Sequence, residues 1–415
     1  MHDDDGQEDA GVRPLRLIVV TPYALEPTWS GGRLRNRHLV QQLLDRGHAV
    51  EHWAFAAEDV GAGRGTAIPG VPTRWLSGRV RAGRRAKLAA LVSPYAEAAW
   101  ACPPPAISRA AVEGVDAVIL CQAHVGRLLA PFLRLGVPVV LNEQNVETDL
   151  VRQLARISPT PLSRLRLRLD ARKLARFEAT LLRTATLVTS VSPVDAGRLR
   201  AMAPAARIEL LPSGADVAGV VSRDHVGVGS DRLVLLGTLG YLPNLDAATW
   251  LVREILPIVQ RSRPRAHVAL VGSSPPGSLA TLAALAGPAV QLVGPIDDVA
   301  GELAASDVFV VPLRAGSGVR LKVLEAFAHG IPVVATSRGV EGLDVRDGVH
   351  LAIADDAASF AAAVVRLLED AALRLRFSTE ARRLVEDCYD WRAIGGRFEA
   401  LLSSVARRDV GAGEW

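Results

Sequence analysis

The sequence predicts an α/β chain of two doubly wound domains. Three observations predict it. Continuous apolar runs of strand length recur, helical runs closed by glycine lie between them, and a stretch of turn chemistry divides one such series from a second. At 415 residues the chain is long for one hydrophobic core and sufficient for two.

The first series opens with "LRLIVV" (Leu15–Val20), a continuous apolar run of the kind buried on both faces of a parallel sheet. A loop with Gly31 and Gly32 is expected next. "RLRNRHLVQQLLDRG" reads as a helix, with Leu34, His38, Leu39 and Leu43 on one face and Gly47 as its stop. "HAVEHWAF" (His48–Phe55) is the following strand and completes a βαβ unit. "DAVILCQ" (Asp116–Gln122) and "PVVLNEQN" (Pro138–Asn145) are buried strands that end in polar residues. A long basic helix pair is expected between Pro159 and Ala185, then a strand at "TLVTSVS". "LLPSGADV" (Leu210–Val217) has the turn chemistry of an interdomain connection.

The second series runs through "RLVLLGTLG" (Arg232–Gly240), a helix over Leu245–Ile258, "HVALVG", a helix over Leu279–Ala286, "VQLVG", a helix near Val299–Ala305 and the strand "DVFVVPL". The expected organisation is a loose tail over residues 1–13, a first domain over 14–210, a second over 211–385, and a terminal helix within 386–415 that packs back on the first domain.

Composition excludes several classes. A hydrophobic content of 49% with 22% charged residues is globular. A net charge of +4, without stacking aromatics along a basic stripe, argues against a nucleic-acid partner. Cys102, Cys121 and Cys388 are odd in number and scattered, so neither a disulfide framework nor a zinc site is expected, and a reduced cytoplasmic setting fits. The N-terminal "MHDDDGQEDAGVR" is polar and unlike a signal peptide, and Asp3-Asp4-Asp5 reads as solvated charge. No apolar run reaches the roughly 18–20 residues of a membrane span.

The chemistry concentrates in "RAGSGVRLKVLEAFAHGIPVVAT" (Arg314–Thr336). It follows a strand, and open α/β sheets bind ligands beyond the carboxyl ends of their strands. Gly316, Ser317 and Gly318 let backbone N–H groups approach an anion. The following helix places its positive end there, together with Arg320 and Lys322. Lys322 is one of three lysines in the chain, with Lys87 and Lys173. Cations at a helix N-terminus are unfavourable by about 0.3–1 kcal/mol each unless an anion sits among them. A diphosphate answers that requirement. Glu325, one turn on, is placed to accept from a ribose diol. The plain alternative is a solvated charged face with an i,i+3 ion pair.

This stretch resembles the nucleotide-sugar site of the family 4 (group 1) retaining glycosyltransferases, which have the GT-B fold. The resemblance extends over nearly the whole chain: "TPYALEPTWSGGRLRNRHLVQQLLDRGHAVEHWAF", "LNEQNVE" against the family's "DEHNVE", "LGTLGYLPNLDAATWLVREILPIV", and "GSGVRLKVLEAFAHGIPVVAT" followed by "GVEGL". It implies two Rossmann-like domains facing a cleft and retaining transfer of a sugar from a nucleoside diphosphate to an acceptor hydroxyl. It also implies no required metal and no cofactor beyond the nucleotide-sugar donor. Glu325 matches the second glutamate of the family's E-x7-E motif, on the ribose, and Arg320 and Lys322 take the diphosphate. Gly31 and Gly32 match the loop that approaches the donor phosphates, and Gly240 and Asn244 the second-domain loop that faces the cleft. Gly294 and Ile296, in "LVGPIDD", match the edge that holds the base, where a plain turn is the other reading.

Two positions depart from the pattern. Ser317 stands where the first glutamate of E-x7-E contacts the sugar, and Gln144 stands where the family has a histidine near the reacting centre. Gln144 hydrogen-bonds but does not titrate. His124 and Asn145 are candidates on the acceptor side, His124 as a substitute for the missing histidine or as a polar loop residue. A nucleotide-sugar-binding homologue without transfer activity is the alternative function. The acceptor is a small molecule, a glycan or a lipid-linked glycan. Ser77–Ala101 and Arg164–Ala185 combine arginines with apolar faces. They are either ordinary amphipathic helices of the acceptor domain or a peripheral contact with the inner face of a membrane.

Overall fold

The computed structural model describes residues 13–26, 30–57, 68–80, 93, 95–96, 99, 101–158, 160–220, 229–296 and 299–406. The acidic N-terminal stretch before Arg13, the arginine-rich residues 81–92, Asp297 and Asp298, and residues 407–415 lie outside the described residues.

The first domain is a seven-stranded parallel sheet in the order β3-β2-β1-β4-β5-β6-β7. Its elements run β1 (Arg16–Thr21), α1 (Gly31–Asp45), β2 (Ala49–Ala57), β3 (Thr73–Val80), β4 (Ala117–Cys121), α2 (Leu129–Arg134), β5 (Val139–Asn142), α3 (Glu147–Ile157), α4 (Pro161–Thr184), β6 (Leu187–Ser190), α5 (Pro193–Met202) and β7 (Ile208–Leu210). The apolar strands are buried on both faces, as crossover helices require: β4, β5 and β6 are buried at every position.

The second domain is a six-stranded parallel sheet in the order β10-β9-β8-β11-β12-β13. It runs β8 (Arg232–Leu236), α6 (Leu242–Trp250), α7 (Leu256–Ser262), β9 (His267–Val271), α8 (Gly277–Ala286), β10 (Val290–Val293), α9 (Val299–Ala304), β11 (Val308–Val311), α10 (Leu321–Ala328), β12 (Val333–Ala335), β13 (Ala352–Ile353), α11 (Ala357–Glu369) and α12 (Ala371–Cys388). The last helix, α13 (Trp391–Ser403), lies against α1 of the first domain. There His38 stacks on Trp391 at 5.0 Å between ring centroids, and Arg46 donates to the Arg392 carbonyl at 2.6 Å.

Two expectations need correction. Gly31 and Gly32 are the first residues of α1 and not a loop, because the Ser30 hydroxyl caps the helix by accepting from Arg33 N. The basic stretch after Pro159 is one 24-residue helix, α4, and not a pair. Thr160 caps it, Pro161 occupies its first turn, and no later glycine or proline interrupts it. Its helical partner is the preceding α3.

The connection between the sheets is pinned by Arg35, which is 1% exposed. Its guanidinium donates to Pro212 O at 2.5 Å, Leu211 O at 2.8 Å and Ser213 Oγ at 3.1 Å. A buried cation persists here because backbone carbonyls accept from it where water is excluded. The returning chain runs alongside, with Ala215 N donating to Tyr389 O at 2.9 Å.

Candidate active site

Both sheets turn the carboxyl ends of their central strands toward one another. α1 supplies the closest approach from the first domain: a Cβ on Gly31 would sit 3.4 Å from Leu321 at the start of α10. One on Gly32 would sit 2.6 Å from Tyr23 Oη and 2.8 Å from Gln144 Oε1. Glycine at position 32 lets this helix start approach the Tyr23 and Gln144 side-chain ends without displacing them.

Gln144 follows β5 and is 7% exposed. Its Nε2 donates to Asn36 Oδ1 at 2.6 Å, and its Oε1 accepts from Gln122 Nε2 at 3.3 Å. Asn145 donates from Nδ2 to Glu147 Oε1 at 3.2 Å. His124 lies after β4 with Nδ1 at 3.9 Å from the same carboxylate oxygen, too far for a hydrogen bond. The helix that follows this segment, α3, has no side-chain cap of its own. Glu178 of α4 supplies one, accepting from Glu147 N at 2.8 Å and Thr148 N at 2.9 Å. Burial raises the Glu178 carboxyl to about 7, against the pull of these hydrogen bonds. Glu143, 1% exposed beside it, is also raised, by burial first and then by Glu178 and Glu147.

On the second domain, Lys322 is in the first turn of α10 and half-buried. Its Nζ donates to Leu236 O at 2.8 Å and to Asn244 Oδ1 at 3.1 Å. Asn244 in turn donates to Thr238 O at 3.0 Å. Gly237 makes this possible: with φ at 151°, a Cβ there would lie 2.7 Å from Asn244 Nδ2 and 3.2 Å from Lys322 Nζ. Burial and the nearby Arg320 charge push the Lys322 ammonium down to about 7. Glu325 is raised by burial, with the Lys322 charge opposing.

Arg320 immediately precedes α10 as its N-cap residue. Its Nη1 donates to Gly318 O at 3.0 Å and to Ser317 O. Its Nε and Nη2 are buried without a hydrogen-bond partner among the described residues. Those two atoms form the side-on fork of a guanidinium, the pair that grips two oxygens of a phosphate or carboxylate. Gly316 leaves the space, since a Cβ there would meet Nη2 at 2.3 Å.

The Gly316–Ser317–Gly318 loop also touches the first domain. Ser317 is 4% exposed, and its hydroxyl accepts from Val146 N at 3.2 Å. Gly316 N donates to Gln153 Oε1 at 2.9 Å. A Cβ on Gly318 would lie 2.2 Å from Gln144 O and 2.4 Å from Asn145 Oδ1. Position 317 is thus occupied by a contact between domains. Gly240 packs on the loop after β9, where its Cβ would meet Ser274 O at 2.8 Å. Gly294 and Ile296 follow β10, the edge strand of the second sheet. Gly294 is exposed, and among the described residues no neighbour requires glycine there.

The two halves of the site are therefore brought together around Gly31, Gly32, Gln144, Asn145 and the 316–318 loop. Lys322, Asn244 and Glu325 line the second domain beside them. Sequence reasoning missed Tyr23, Asn36, Gln122 and Gly237. The available signal was weak: a polar residue ending an apolar strand in "DAVILCQ", and the first glycine of "LGTLG".

Residues 230–370 match the family model described as glycosyl transferases group 1. The chain is 32% identical over 243 residues to a GDP-mannose-dependent alpha-(1-6)-phosphatidylinositol monomannoside mannosyltransferase of Mycolicibacterium smegmatis, covering 53% of this chain and 62% of that one. It is 34% identical over 122 residues to a phosphatidyl-myo-inositol mannosyltransferase of Mycobacterium leprae, covering 28% and 32%. The matched stretches thus span less than two thirds of these relatives. Among solved structures, sucrose-phosphate synthase from Thermosynechococcus elongatus superimposes with a TM-score of 0.73 at 18% identity, covering 94% of this chain and 98% of that one. WaaG, a glycosyltransferase involved in lipopolysaccharide biosynthesis, superimposes with 0.67 at 15%, covering 93% and 99%. At such identities the likeness is one of fold. Together with the geometry above, these matches show that residues 230–370 are similar to the group 1 glycosyl transferases, on a chain with the GT-B architecture of two Rossmann-like domains.

Proposed function

We propose that this chain transfers a sugar from a nucleoside-diphosphate sugar to an acceptor hydroxyl, with retention at the anomeric carbon and no metal requirement. The observation that carries the reading is the unpartnered side-on fork of Arg320, buried at the start of α10 beside Lys322. A diphosphate among these groups would use the fork, the helix dipole and the Lys322 charge together. Glu325 would accept from the ribose. Gly294 and Ile296 would border the base. Gly31 and Gly32 would let the α1 N-terminus approach the phosphates from the other side.

Retention without a protein nucleophile follows a front-face course. The bond from the anomeric carbon to the leaving phosphate oxygen breaks, and that oxygen takes the proton of the acceptor hydroxyl attacking on the same face. The protein's contribution is then positioning and stabilisation of the developing diphosphate charge. Gln144 would orient the sugar as a neutral amide. His124 and Asn145 would border the acceptor. Ser317, docked on Val146, would leave sugar recognition to the first domain.

A lipid-linked acceptor is the reading favoured by α4. Leu162, Leu165 and Leu169 are 78%, 55% and 39% exposed along one stripe, and Arg164, Arg168 and Arg172 are exposed beside it. That pairing is complementary to an anionic bilayer surface, and two relatives named above are phosphatidylinositol-directed mannosyltransferases. Sedimentation with anionic vesicles that is lost in Leu162→Ser/Leu165→Ser supports it. Equal sedimentation of the variant, or none by the wild type, refutes it.

A thermal-shift panel of nucleotide sugars, followed by assay of nucleoside-diphosphate release on the hits, tests the function. Stabilisation with acceptor-dependent release supports transfer. Stabilisation without release, with or without acceptor, favours the non-transferring homologue, and no stabilisation by any nucleotide sugar overturns both.

A further inference from the structure

Gln122 directly follows β4, in backbone that only glycine adopts without strain. Its φ is 73° and its ψ 154°. Its backbone N donates to Asn142 O at 3.0 Å and its carbonyl accepts from Val125 N at 3.3 Å, while its side chain has no capping role in the turn that follows. Its side chain is 8% exposed and lies between Tyr23 and Gln144. There Nε2 donates to Gln144 Oε1 at 3.3 Å, and Oε1 faces Tyr23 Oη at 3.5 Å. Gln144 then donates to Asn36 Oδ1 at 2.6 Å. The result is a directed chain, Tyr23 to Gln122 to Gln144 to Asn36, in which each carboxamide accepts at one end and donates at the other. It lies directly beneath the α1 N-terminus, where a Cβ on Gly32 would meet Tyr23 at 2.6 Å, Gln144 at 2.8 Å and Gln122 Nε2 at 3.5 Å.

We infer that Gln122 is a positioning residue of the site, held in strained backbone so that its amide fixes the orientation of Gln144. The inference rests on the glycosyl-transfer reading above. Gln144 carries a flexible amide with two ends of opposite polarity. It needs a donor on its oxygen and an acceptor on its nitrogen to present one fixed face. Gln122 and Asn36 supply those partners, and Gln122 does so from a residue where glycine would be the conformational choice. Strain that persists at a strand end beside the cleft, in a side chain whose hydrogen bonds run toward Gln144, is the pattern of a site residue and not of a core one.

The test is Gln122→Gly beside Gln122→Glu. Glycine relieves the backbone and removes the amide. Glutamate keeps size and strain but sets an acceptor against Gln144 Oε1. The expected result for Gln122→Gly is a raised melting temperature with kcat lowered about tenfold or more, and donor KM changed less than twofold, since the groups around α10 are untouched. Gln122→Glu should lose kcat similarly without the gain in melting temperature. A Gln122→Gly variant with wild-type kcat, or one whose kcat falls only together with its melting temperature, overturns the proposal. A wild-type chain that turns over no nucleotide sugar overturns the glycosyl-transfer reading first, and the positioning role with it.

Discussion

Lys322 donates its ammonium to the carboxamide oxygen of Asn244 across 3.1 Å, joining the first turn of α10 to the helix that follows β8. With Leu236 O as a further acceptor, the charge is fixed at the carboxyl ends of the central strands. Burial holds it near half-ionisation at neutral pH, at about 7. A group so placed responds to an incoming anion by taking up a proton.

Proton uptake is the first consequence. At pH 8 the free protein holds Lys322 largely neutral, and a bound diphosphate favours the charged form. Titration calorimetry of a nucleoside diphosphate, in two buffers of different ionisation enthalpy, should reveal uptake approaching one proton for the wild type and clearly less for Lys322→Met. Equal uptake by both proteins would contradict the placement of the anion.

The same depressed value has a stability signature. Between pH 7 and the unfolded lysine value of 10.5, the unfolded chain binds the proton and the folded chain does not, so the wild type gains stability as pH rises. Any stability advantage of Lys322→Met over the wild type should therefore shrink from pH 7 to pH 9.5 in unliganded protein. Denaturant unfolding at several pH values measures it, and a constant difference would count against the buried position.

Glu325→Gln should weaken donor binding about ten- to a hundredfold, from loss of charge-assisted hydrogen bonds of roughly 1.5–3 kcal/mol. The loss should not add to that of a 2′-deoxyribose donor, because both changes remove the same contact. Additive losses would move Glu325 away from the ribose.

Ser317→Ala leaves Val146 N–H buried without its acceptor, a cost of about 1–3 kcal/mol. Ser317→Glu sets a larger, charged side chain into a 4%-exposed space between the domains. Both should lower the thermal midpoint, the glutamate more, and the glutamate should not strengthen sugar binding. Tighter donor-sugar binding by Ser317→Glu would show that position 317 faces the donor after all.

Trp391→Ala should cost about 3–5 kcal/mol, since the ring is 3% exposed and stacked on His38 at the contact between α1 and α13. Unfolding by urea measures it. A change below 1 kcal/mol would mean that α13 contributes little to the first domain.

Strands were the most legible part of this sequence. Runs such as Leu15–Val20 and Asp307–Leu313 are apolar throughout because helices cover both faces of each sheet. The start of α1 was less legible. Glycines suggest a loop, and Ser30 immediately before them carried the opposing capping signal. The single helix α4 was hidden by its charge, which masks the narrow buried stripe of Ala171, Leu174, Glu178 and Leu181. In the site, Arg320 and Lys322 stood out by type and by their place at a helix start. Contacts between Ser317 and Val146, or between Gln144 and Asn36, join residues more than a hundred positions apart. No local pattern marks them. The strain at Gln122 is likewise set by where its strand ends and by what its side chain must reach.

The most direct test of the central claim is nucleoside-diphosphate release from the nucleotide sugar that binds best, measured for the wild type, Lys322→Ala and Arg320→Ala after circular dichroism has shown each to be folded. Release by the wild type is expected, with a loss of about 100-fold, or about 2.7 kcal/mol of transition-state stabilisation, in each variant. Near-normal release by the folded Lys322→Ala protein would contradict it.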